Sequence, residues 1–127
     1  MNKPTRSLSE AWEIWCHRGR LSVGNRRRAV LRCMDDNGDV RGYHSDLLLD
    51  PTLPPTHSLY PSIEHLTFPK LDSEVVVETR IVNDMKSHLS ETDFWQMIEH
   101  LYVVGRTRDR IPASAARRDS WTLGRNY

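Results

Sequence analysis

A chain of 127 residues is one domain's worth and buries roughly two thirds of the surface its unfolded form exposes. No apolar run approaches the ~18 to 20 residues of a membrane span, and Met1-Asn2-Lys3-Pro4-Thr5-Arg6 lacks the apolar stretch of a signal peptide, so a soluble, cytoplasmic protein is expected. The 18 basic and 17 acidic residues leave a net charge of +1, but that near-neutrality hides a strong segregation.

Residues 1–34 carry eight Lys or Arg against two acids, residues 35–105 four against thirteen, and residues 106–127 six against two. Basic flanks around an acidic centre suit a protein that holds a cation with carboxylates and a polyanion with arginines. Solvated basic ends produce the same pattern. Cys16 and Cys33 are the two cysteines, neither in a CxxC pair, which excludes a Cys-rich zinc knuckle and predicts two reduced thiols, Cys33 in the core.

In chain order, Ser9 to Gly19 predicts a short amphipathic helix. Ser9 can cap it, Leu8, Ala11, Trp12, Trp15 and Cys16 fall near one face, and Gly19 suits its end. The run Ala29-Val30-Leu31-Arg32-Cys33-Met34 reads as a strand, Asn37-Gly38 as a hairpin turn and Val40 to His44 as the return, giving a β-hairpin over 28–44. Leu47-Leu48-Leu49 reads as a core anchor. The prolines at 51, 54, 55 and 61 then exclude regular structure and make a stiff connector.

Beyond the connector, Ile63 to Phe68 reads as a short extended segment, and Glu74 to Val82, rich in β-branched residues, as a strand. Together they predict a hairpin whose ends bring His65 and Asn83 close. A helical turn is expected from Asn83, broken near Ser87 to Ser90. Ser90-Glu91-Thr92-Asp93 resembles a capping box and starts a second helix. Phe94, Met97, Ile98, Leu101 and Val104 form its stripe, expected to face the core, and Gly105 ends it. Residues 106–127 lack an apolar repeat and are expected to be a basic, mobile arm. There is no internal repeat.

The residues with chemical promise are Glu64-His65 and, eighteen residues after His65, Asn83 with Lys86 three places on. A neutral imidazole with an ordinary pKa near ~6.5 can take a proton from water at neutral pH. A carboxylate and an amide carbonyl are hard oxygen ligands suited to Mg²⁺, and such an ion stabilises the charge that develops on a phosphodiester. A bare Glu-His dipeptide is more often a surface ion pair, and an isolated Asn a helix cap. His88 is off the helical face of Asn83, although a broken helix can return it. His44 and His57, near the connector, can enter a site from outside the motif. His17 and His100 fall in amphipathic helices, where packing or solvation is the ordinary fate. Arg26-Arg27-Arg28 is the densest basic cluster and can follow a nucleic-acid backbone.

The run Tyr60-Pro61-Ser62-Ile63-Glu64-His65-Leu66-Thr67-Phe68-Pro69, then Val75 to Val82, then Asn83-Asp84-Met85-Lys86-Ser87, resembles the HNH (ββα-metal) endonuclease motif across roughly residues 60–105. With the elements read above, the expected protein is α+β: an N-terminal helix and β-hairpin subdomain over 1–50, a unit over 51–105 that the resemblance makes HNH-like ββα-metal, and a basic tail over 106–127. The resemblance carries the chemistry. It implies metal-dependent hydrolysis of phosphodiester bonds, most readily in DNA. Glu64 and Asn83 would hold one divalent ion, Mg²⁺ or else Mn²⁺. His65 would be the general base, with Lys86 and Arg26, Arg27 and Arg28 contacting phosphate and His88 as an additional candidate. Cutting both strands would call for a homodimer or two encounters.

The family's middle asparagine, which orients the histidine, has no match between Leu66 and Val82, where Thr67, Asp72, Ser73, Glu74, Glu78 and Thr79 are the polar residues. The first ligand is Glu where Asp or His is commoner. The alternative is therefore a catalytically inactive HNH-like scaffold that binds nucleic acid or a protein.

Overall fold

A computed structural model describes residues 8–67 and 69–111. Most of the expected basic tail, from residue 112 on, lies outside the described residues. The described chain is α+β. Its elements run α1 (Leu8–Cys16), α2 (Val23–Arg32), β1 (Pro61–His65), β2 (Val75–Thr79), α3 (Arg80–Lys86) and α4 (Glu91–Thr107).

The first helix forms as its apolar spacing predicts and buries Ala11, Trp12, Trp15 and Cys16. Where the β-hairpin was expected, residues 23–32 are helical instead. Ser22 accepts the Asn25 N–H at 3.1 Å and caps α2. Arg26, Ala29 and Val30 are buried while Leu31 stays 67% exposed. Two adjacent buried residues followed by an exposed one do not alternate as a strand does; the i, i+3, i+4 spacing is helical. What survives of the hairpin is the turn. Gly38 adopts φ 81°, the Asp35 carboxylate accepts the N–H groups of Asn37 and Asp39, and a single bridge joins Met34 to Val40.

The connector from 51 to 60 has no helix or strand, and β1 starts at Pro61. The β1–β2 hairpin is antiparallel, pairing Pro61 with Thr79, Ile63 with Val77 and His65 with Val75. Strand β2 ends three residues short of the expected Val82 because Thr79 switches roles. Its hydroxyl accepts the Val82 N–H and caps α3, while the N–H groups of Arg80 and Ile81 bond the carbonyls of Tyr60 and Ser58. Those bonds satisfy amides that a helix start would otherwise leave open. Helix α3 stops at Ser87, which takes φ 49°, and α4 begins at its Ser90 cap as expected.

Side-chain alternation gives the two-stranded sheet two different faces. Ile63, Val75 and Val77 pack with Trp12, Trp15, Cys16, Ala29, Val30, Val40 and Leu49 in the hydrophobic core. This cluster draws on both sides of the proline-rich connector. Of the three consecutive leucines, Leu49 is the buried one. The other sheet face carries Ser62, Glu64, Val76 and Glu78. Glu64 and Glu78 on this face are almost completely buried, so this side of the hairpin has an ionic interior.

The stripe of α4 departs from its expected role. Phe94 is buried, but Met97 and Leu101 are 48% and 56% exposed. The stripe has the right period, but past its first turn Ile98 and Val104 are only half-buried. Residues 108–111 turn back on the helix end, with Arg110 N–H bonding the Gly105 carbonyl at 2.8 Å.

Candidate metal centre

Glu64 is positioned by β1, which points its side chain onto the polar sheet face opposite the one carrying Ile63. There its Oε2 lies 2.8 Å from His44 Nδ1. The other ring nitrogen, Nε2, lies 2.7 Å from Glu91 Oε1 in the first turn of α4. His44 and Glu64 side chains are each 2% exposed and Glu91 32%, so solvent reaches the group from the Glu91 side. Tyr43, Phe94 and Trp95 surround the imidazole with ring centroids 5.0, 5.3 and 5.7 Å away.

The His44 loop is held from beneath by Glu78. Its Oε1 accepts the N–H groups of His44 and Ser45 at 2.7 and 2.8 Å, and its Oε2 accepts the Ser45 hydroxyl and the Thr79 N–H. Gly42 makes this approach possible, since a Cβ there would meet the Glu78 and Ser45 side-chain oxygens.

Lys86, the last residue of α3, is 4% exposed. Its ammonium donates to the carbonyls of Leu89 at 3.0 Å and His65 at 3.3 Å, and lies 3.8 Å from Glu64 Oε1 and 3.7 Å from Glu91 Oε1. Glu64 Oε1 is buried without a hydrogen-bond donor. Burial disfavours the imidazolium of His44, but the hydrogen bonds and charges of Glu64 and then Glu91 outweigh it and raise the His44 pKa above its ordinary value. With His44 protonated, two carboxylates face two cations.

One ligand atom each from His44, Glu64 and Glu91 lie within 4.8 Å of one another, close enough to hold a metal ion. The orphaned Glu64 oxygen fits such an occupant, since its positive neighbour, Lys86 Nζ at 3.8 Å, is beyond hydrogen-bonding distance. One imidazole and two carboxylates are a mixed nitrogen and oxygen set of the kind that binds divalent ions.

The residues singled out from sequence are thus divided. Glu64 and Lys86 meet in the cluster. The ring of His65 instead bonds Asp72 Oδ1 at 3.0 Å, because neighbours on a strand point to opposite faces. Asn83 is engaged by β1 instead; its amide donates to Ser62 Oγ at 2.9 Å and the Ile63 carbonyl at 3.1 Å, tying α3 to β1. His88 is exposed. Arg26 is turned inward: it donates to the Trp15 carbonyl at 2.9 and 3.2 Å and lies 3.9 Å over the Trp15 ring, and burial lowers its pKa. Arg27 pairs with Glu13, and Arg28 is exposed on α2 beside Asn25. Burial raises the pKa of both Cys16 and Cys33, which suits inert thiols.

Glu91 was legible as a residue of the capping segment and gave no sign of a ligand. No helix among the described residues is long and apolar enough to cross a membrane. Comparison with protein-family models, curated proteins and solved structures finds no match to this chain.

Proposed function

We propose that this protein is a metal-dependent phosphodiester hydrolase acting on nucleic acid, with Glu64, His44 and Glu91 holding one divalent ion. The observation that carries the reading is the buried Glu64 Oε1, which has no donor and sits within a His-Glu-Glu group of ligand spacing. The order β1, β2, α3, with Glu64 on the first strand and Lys86 and Asn83 on the helix that packs against it, supports the ββα-metal type. When bound, the ion would polarise the phosphate and stabilise the leaving oxygen. The imidazole in the ligand set moves the preferred ion from Mg²⁺ towards Mn²⁺ or Zn²⁺.

In this reading His44 gives up its proton to become a ligand, and Glu78 keeps it in position. Lys86 holds positive charge beside the two carboxylates. His65 lies on the opposite sheet face with its ring on Asp72, so it is not placed to activate water at this ion. Arg28 supplies phosphate attraction from α2.

A second reading has its own observation. Both ring nitrogens of His44 are already engaged by carboxylates, and with Lys86 the four groups neutralise one another. That closed network suits a non-catalytic scaffold binding nucleic acid or a protein. Supercoiled plasmid incubated with Mg²⁺, Mn²⁺, Zn²⁺ or EDTA separates the two. Metal-dependent nicking that is lost in Glu64→Gln supports the hydrolase; folded protein without activity in any metal supports the scaffold.

A further inference from the structure

Helix α4 leaves Trp95, Met97, Leu101 and Tyr102 exposed, while Phe94 and Gly105 are covered by the rest of the described chain. At 3.6 residues per turn, Phe94, Met97, Ile98, Leu101 and Val104 fall within an arc of about 120°. Trp95 and Tyr102 extend it on one side, 47% and 57% exposed. Ile98 and Leu101 take adjacent a and d positions of a short seam, with 97 and 104 on one flank and 95 and 102 on the other.

The charges at the two ends of the helix are opposite. Glu91 and Asp93 lie in the first turn, and Arg106 and Arg108 at the end. A parallel neighbour would stack like charges at both ends. An antiparallel copy would place Ile98 against Leu101, Trp95 against Tyr102 and Met97 against Val104, with Asp93 beside Arg108. The sequence of α4 is therefore complementary to its own reverse in both apolar and charged positions. We infer that α4 is a homodimer interface, occupied by α4 of a second copy running antiparallel. The inference stands on α4 alone and does not depend on metal binding or hydrolysis.

The mass of the full chain in solution, by light scattering across a dilution series, tests it. The expected result is twice the chain's 14.8 kDa, falling to the single-chain mass in Leu101→Glu with helical circular dichroism retained. Asp93→Lys or Arg108→Glu alone is expected to weaken the dimer at least several-fold, and the two together to restore it. A native chain that stays monomeric at every concentration overturns the inference, including when it binds another protein through this face. So does a dimer unaffected by Leu101→Glu, or one in which the paired charge reversal gives no recovery.

Discussion

Glu78 fixes the position of His44 without touching its ring, accepting the His44 backbone N–H at 2.7 Å while the imidazole turns to Glu64 and Glu91. A fully buried carboxylate is thus spent on the shape of one loop. Removing it leaves the N–H groups of His44, Ser45 and Thr79 without their acceptor, at about 1 to 3 kcal/mol for each that stays dry. Glu78→Ala is expected to destabilise the fold by about 3 kcal/mol or more, measured by urea denaturation. Gly42→Ala should act in the same direction by displacing the same carboxylate. Stability unchanged in both would remove Glu78 from this role.

Glu64 and Lys86 form a second dependency. Each removes the other's nearest buried opposite charge when mutated, and an unpaired buried charge costs about 3 to 5 kcal/mol. A double-mutant cycle with Glu64→Gln and Lys86→Met in metal-free protein is expected to show the double variant less destabilised than the sum of the singles, by about 1 to 3 kcal/mol. Strict additivity would mean that the 3.8 Å approach carries no energy.

His44 makes stability pH-dependent. Burial, the largest single influence, lowers its pKa, but the bonds and charges of Glu64 and Glu91 together raise it above 6.5. A folded pKa above the unfolded one means that the stabilisation is complete below about 6.5 and is lost as pH rises through the folded value. Thermal melts of metal-free protein should therefore show the native chain losing stability with rising pH in that window, and His44→Gln losing less. Parallel profiles for the two would exclude His44 as the cause.

The arginine cluster divides by orientation. Arg26→Lys gives up the forked donation to the Trp15 carbonyl and the stacking on its ring, and is expected to cost about 1 to 2 kcal/mol of stability while leaving DNA affinity unchanged. Arg28→Ala should do the reverse, lowering affinity for DNA and shrinking its salt dependence by about one phosphate contact. Fluorescence anisotropy at several salt concentrations measures both, and an equal loss of affinity in the two variants would contradict the division.

Local signals were legible where one residue type dictates one conformation. The proline-rich connector, the β1–β2 hairpin, the Ser90 cap and the Gly38 turn follow from backbone preferences visible in the chain. Helix α2 was not, since Ala29-Val30-Leu31 is as apolar as a strand and its helical spacing appears only when Arg26 is counted as buried. The candidate centre was half visible. Glu64 and Lys86 lie in the motif, but His44 and Glu91 come from a loop and a helix start 20 residues before and 27 residues after Glu64. No periodicity connects positions joined only by the fold. Strand alternation was the available warning that Glu64 and His65 would face different ways.

Calorimetric titration of Mn²⁺ into the native chain and into Glu64→Gln is the most direct measurement. One ion per chain, with binding lost in a variant whose circular dichroism is unchanged, is the predicted result. No binding by the native chain, or equal affinity in both proteins, would contradict an ion held by Glu64.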